Sequence, residues 1–110
     1  MKFKSRGETT LFVYACFDKS IDDFDIIDLP EEIVDKIDTI QPQFFKWLFD
    51  KKNNHDYWIC EDGVKMYCSY GSEAFIDWLN NYILDRSAKK ATIIERCSIN
   101  IKSEYPTIHF

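Results

Sequence analysis

The chain has 110 residues, 45% of them apolar and 30% charged, and a formal net charge of −5. That is enough for one hydrophobic core in a single domain spanning residues 1–110. Its nine Phe, six Tyr and three Trp exclude a disordered composition. No stretch approaches the roughly 20 apolar residues of a membrane span. The apolar run at residues 11–17 is too short for a signal peptide and ends at Asp18. The expectation is a cytoplasmic protein with no membrane partner. Cys16, Cys60, Cys68 and Cys97 show no CxxC or other ligand spacing, so they read as reduced strand residues rather than a disulfide framework.

Residues 9–17 predict a strand with apolar side chains on both faces, hence a central strand covered on both sides. Residues 18–29 read as an acidic loop punctuated by Ile21, Phe24, Ile26 and Ile27. A helix is expected to begin near Pro30, with Glu31, Glu32 and Asp35 near its positive end and Ile33, Ile37 and Ile40 as its apolar stripe. Pro42 is expected to break it and open a second helix over residues 43–52. There Phe44, Phe45, Trp47, Leu48 and Phe49 cover more than one face.

The Asp62-Gly63 pair predicts a two-residue hairpin turn joining residues 57–60 to 64–69. In that register Cys60 pairs with Lys65, Ile59 with Met66, Trp58 with Tyr67 and Tyr57 with Cys68. Tyr57, Ile59, Val64, Met66 and Cys68 then share one face, taken as the core side. Trp58, Cys60, Lys65, Tyr67 and Ser69 share the other. Ser72 is a good N-cap for a third helix ending near Ser87, with Phe75, Leu79, Tyr82 and Ile83 as its core stripe. Residues 92–102 and 107–110 return to strand. The sum is an α+β fold: a mostly antiparallel sheet of about four to five strands with three helices packed on it.

Charge is segregated. Nine acids lie between Asp18 and Asp38 against Lys19 and Lys36, so that segment carries −7 and the remainder of the chain +2. Such a tract is commonly a solvated face. With apolar residues among the acids it also suits a charged rim around hydrophobic contact with a basic partner. The candidate partner-binding residues are therefore Asp18, Asp22, Asp23, Phe24, Asp25, Asp28, Glu31 and Glu32. Trp58 and Tyr67 join them, as residue types that dominate interface hot spots. The acidity argues against nucleic-acid binding. The loop at residues 18–25 lacks the central Gly and terminal Glu of a calcium-binding EF-hand. The expected register puts Cys60 and Cys68 on opposite faces, against zinc. His55 and His109 belong to no catalytic motif, and no phosphate-binding or nucleophile signature occurs. No metal, cofactor or catalytic residue is expected.

The acidic tract, the aromatic hairpin Tyr57-Trp58-Ile59-Cys60-Glu61-Asp62-Gly63 and the missing catalytic signature together give a profile that resembles the small immunity proteins of bacterial polymorphic and contact-dependent toxin systems. The resemblance implies direct binding and neutralisation of a cognate toxin, often a basic nuclease. Three other readings stand beside it. One is a phage or plasmid inhibitor of a host nucleic-acid enzyme, acting as a DNA mimic. Another is a small enzyme whose Cys, His and carboxylate groups meet only in space. The third is a housekeeping structural subunit.

Overall fold

The computed structural model describes residues 9–17, 24–87, 89–98 and 105–110. Strand β1 (Thr10–Cys16) pairs antiparallel with β2 (Phe24–Pro30). Two helices follow, α1 (Glu31–Asp35) and α2 (Ile37–Phe49). The hairpin β3 (Trp58–Glu61) and β4 (Val64–Cys68) forms a separate two-stranded sheet. Helix α3 (Ser72–Trp78) runs into a π-helical turn, Leu79–Ile83. Strands β5 (Thr92–Ser98) and β6 (Thr107–His109) complete a four-stranded sheet in the order β5-β2-β1-β6. Among the described residues only the β1–β6 pair is parallel. This is the α+β architecture expected, mostly antiparallel and with three helices.

β1 is central, and from Val13 to Cys16 it is buried on both faces, while Leu11 and Phe12 are exposed. Val13 and Ala15 join Ile27 and Leu29 of β2 against the helices, with Ile33, Phe44, Leu48, Phe75 and Leu79 filling the layer between. Tyr14, Cys16 and Ile26 are buried on the opposite face. There the Tyr14 ring lies 5.7 Å from that of Phe24 and 5.4 Å from that of Tyr105.

Several local expectations are corrected. The acidic loop expected over residues 18–29 is a strand from Phe24 onward. Asp25 shares a face with Ile27 and Leu29, and Asp28 shares one with Phe24 and Ile26. Apolar alternation thus outweighs the charges. The helix break falls at Lys36 (φ −109°, ψ 17°) rather than at Pro42, which lies inside α2. The amide that Pro42 lacks would have met the carbonyl of Asp38. Both residues are exposed, so water can serve that carbonyl.

Ser72 is the first residue of α3 rather than its cap. It is buried, and its hydroxyl donates to Asp25 Oδ2 at 2.5 Å. Ser72→Ala should therefore destabilise the fold by about 1.5–3 kcal/mol, the range for hydrogen bonds to charged groups. A urea midpoint unchanged from the parent would refute that role. Tyr82, expected in the core stripe, is exposed. The π turn adds a residue to the helical circuit and swings Tyr82 off the face held by Phe75 and Leu79. Asn80 in the same turn holds the residue just before β5: its side chain accepts from Ala91 N at 2.8 Å and donates to Ala91 O at 2.9 Å.

No helix among the described residues is long and apolar enough to cross a membrane. All four cysteines lie in strands. Cys16 and Cys68 are buried free thiols and Cys60 is exposed. Burial pushes the Cys68 thiol pKa up, and its Sγ donates to Leu48 O at 3.3 Å.

Candidate interaction surface

The hairpin turn forms as its sequence dictates. Asp62 (φ 51°) and Gly63 (φ 76°) both take the left-handed conformation of a type I′ turn, and Glu61 faces Val64. Cys60 pairs with Lys65 as expected. A β-bulge then intervenes, so that Ile59 pairs with Tyr67 and Trp58 with Cys68, leaving Met66 as the extra residue. This corrects the expected Ile59–Met66, Trp58–Tyr67 and Tyr57–Cys68 pairs. It also re-sorts the faces. Residues opposite one another share a face, and the two residues of a bulge point the same way. Ile59, Glu61, Val64, Met66 and Tyr67 therefore lie on one side, and Trp58, Cys60, Lys65 and Cys68 on the other. Cys60 and Cys68 thus share a face, although one is exposed and the other buried. Among the described residues no three His, Cys, Asp or Glu side chains gather as a metal site.

Cys68 is buried as expected, but Ile59, Val64 and Met66 face outward and Trp58 and Lys65 inward, against expectation. Trp58 is half-buried, its indole N–H donates to Asn53 O at 2.8 Å, and its ring stacks on His55 at 5.3 Å. Lys65 crosses that ring at 5.6 Å and donates to the carbonyls of Lys51 (2.5 Å) and Asn53 (3.1 Å) and to Asn54 Oδ1 (2.5 Å). An ammonium is well placed against carbonyls just beyond a helix's C-terminus. The outward face carries the apolar side chains. Ile59 is 36% exposed, Met66 53%, Val64 54% and Tyr67 60%. Of the two expected anchors, Tyr67 stands open to solvent, while Trp58 braces the loop before β3.

The described acids of the tract take different roles in the fold. Asp18, Asp22 and Asp23 lie outside the described residues. Phe24 packs on Tyr14, and Asp25 holds Ser72. Asp28 has one carboxylate oxygen, Oδ1, buried without a hydrogen-bond partner among the described residues. Glu31 and Glu32 form the half-buried first turn of α1. Asp35 and Asp38 are exposed, and a further set of exposed acids lies elsewhere. Between Asn53 and Asp85 the chain has six acids, Asp56, Glu61, Asp62, Glu73, Asp77 and Asp85, against Lys65 alone. All six are exposed, and Lys65 is engaged with the loop carbonyls. Glu73 pairs with Arg96 across the surface, an exposed ion pair of small energetic value.

Beside the hairpin, the end of α2, the loop into β3 and the outer side of α3 enclose an open cleft of about 240 Å³. Its walls include the rings of Trp47, His55, Tyr57 and Tyr82 and the carboxylates of Asp56 and Asp77. The Trp47 ring lies 4.6 Å from His55 and 5.8 Å from Tyr82. His55 is held by backbone on both sides. Nε2 lies 2.8 Å from Leu48 O, and Nδ1 accepts from Tyr57 N at 3.2 Å. The neutral ring protonated on Nε2 satisfies both contacts. The Tyr57 hydroxyl donates to Asp77. Burial, the bond to Asp77 and the charges of Asp77, Glu73 and Asp56 push its pKa far above the ordinary phenol value, keeping it a neutral donor.

Sequence reasoning missed this cleft because its walls come from three separate segments. Two weak signals were present: Asp56-Tyr57 and Asp77-Trp78 each set an acid beside an aromatic residue. No known protein family matches the chain, and no curated protein or solved structure matches it significantly.

Proposed function

We propose that this protein acts in the bacterial cytoplasm by binding a basic protein, neutralising a cognate toxin of the nuclease type as immunity proteins do. The observation that carries the reading is the outward face of the hairpin. There Ile59, Val64, Met66 and Tyr67 are exposed together, with Glu61 on the same face and Asp62 in the turn. A group of exposed large apolar side chains with a polar rim marks an interaction site rather than a solvated surface. The acids around it give the complementary charge. They would steer encounter with a basic partner and weaken binding as salt rises.

The test is a pull-down from the native host with the tagged protein as bait, at low and moderate salt. The expected result is one basic protein, recovered at low salt, depleted at moderate salt, and lost from a bait carrying Met66→Ser and Tyr67→Ser. Equal recovery by parent and variant would defeat the assignment of the hairpin. Failure of a well-folded parent bait to recover any specific protein would defeat the binding reading itself.

A further inference from the structure

The cleft beside the hairpin has the chemistry of a cation site. Aromatic faces are the negative ends of ring quadrupoles and attract cations held over them. Here Trp47 and Tyr82 meet at 52°, forming an open wedge. Asp56 and Asp77 add two carboxylates, and the hydrogen bond from Tyr57 occupies only one oxygen of Asp77. No lysine or arginine lines the cleft among the described residues, and Lys52 borders only the adjoining recess. Burial is the largest cause holding the Tyr57 phenol neutral; the carboxylates of Asp77, Glu73 and Asp56 add to it, and those charges favour a positive group placed beside them.

We propose that this cleft receives an arginine side chain of the protein partner, its guanidinium lying against the Trp47 and Tyr82 rings and hydrogen-bonding to Asp77. A guanidinium suits the site better than an ammonium. It is planar, stacks on aromatic faces, sheds water more readily and presents a fork of donors to a carboxylate. The assignment rests on the proposed binding of a basic protein, but it is tested without one.

The experiment is a titration of the isotope-labelled protein with N-acetyl-arginine amide, followed by the indole N–H signals of the three tryptophans and the amides around the cleft. The expected result is saturable movement of the Trp47 indole and the Tyr82 amide, with a dissociation constant on the order of millimolar. The hairpin-tip amides should stay unmoved. The citrulline analogue, equal in shape and uncharged, should bind at least about tenfold more weakly, and the lysine analogue should also bind more weakly. Asp77→Asn and Tyr82→Ala, both at exposed positions, should each weaken binding about tenfold. If Asp77→Asn disturbs the amide spectrum, Tyr82→Ala alone carries the comparison.

A citrulline or lysine analogue that binds as well as arginine overturns the assignment. So does an absence of saturable shifts, or unchanged affinity in the folded variants. A successful pull-down without arginine binding defeats this inference alone. Arginine binding without a recoverable partner establishes a guanidinium site but defeats the proposed function, and with it the assignment to a partner's arginine.

Discussion

Replacing Phe44 with alanine is expected to destabilise the protein by about 3–5 kcal/mol, the largest effect of any single change considered. Phe44 is fully buried and lies where α2, α3 and the sheet meet. Its ring is 5.2 Å from Phe75, 5.3 Å from Phe45, 5.6 Å from Trp78 and 6.4 Å from both Tyr70 and Phe110. Truncation would leave a void walled by rigid rings, which collapse poorly around a gap, so both the transfer and cavity contributions persist. Domains of this size are commonly stable by about 5–15 kcal/mol, so the variant would sit near the edge of folding. Urea denaturation with the slope unchanged and the midpoint lowered would register the loss. A loss below about 1 kcal/mol would show that the aromatic layer repacks, and that Phe44 is not its centre. Phe49 offers the contrast. It stands 50% exposed one turn further along α2, stacked on Phe45 at 6.1 Å, and its truncation should cost far less.

The second large effect is on binding. Tyr67→Ala is expected to weaken the complex with the partner recovered by pull-down about 30-fold or more, the scale of an interface hot spot at about 2 kcal/mol. Met66→Ala should act in the same direction. Both side chains are more than half exposed in the free protein, so stability should change by no more than about 0.5 kcal/mol. Calorimetric titration beside urea denaturation separates the two quantities. The bulge makes the pair informative. Without the extra residue at Met66, Tyr67 would lie on the opposite face from Ile59. Full affinity in Tyr67→Ala would place the interface elsewhere, and a matching drop in stability would make Tyr67 structural. Charge changes at Glu61 or Asp62 should instead act mainly on the association rate and its salt dependence.

What could be read from the sequence was what local chemistry decides. Asp62-Gly63 has few alternatives to a type I′ turn, and an apolar run such as residues 10–16 with both faces greasy belongs in the middle of a sheet. Strand β2 was legible in principle, because Phe24 and Ile26 on one face and Ile27 and Leu29 on the other recur at strand spacing around Asp25 and Asp28. The density of acids concealed it, since partners that absorb a carboxylate lie far along the chain: Ser72 is 47 residues from Asp25. The inward turn of Trp58 was not legible, because it depends on His55, Asn53 and Lys65 closing around the indole. The bulge that accompanies it exchanged the faces of Tyr67 and Cys68. Tyr67 could be named as a candidate from residue type alone. The exposed acids of the hairpin and α3 stand in the sequence only as a local excess over Lys65, less dense than the run at residues 18–38.

The parallel pairing of β1 with β6 has a consequence in time. Tyr14 pairs with Thr107, and Phe110 lies 4.3 Å from Phe17 and 4.7 Å from Phe75, ring to ring. The sheet edge beside the central strand, and one wall of the aromatic layer, are therefore supplied by residues made more than ninety positions after the strand they complete. Closing so long a loop is entropically costly and gains no contact until both ends exist. On the ribosome, β1, β2 and the helices must wait with one flank of β1 unpaired until residues 107–110 have emerged. A nascent chain halted before that point would display an open strand edge and uncovered rings, the features that recruit chaperones and drive aggregation. Completion of the four-stranded sheet therefore waits on β6.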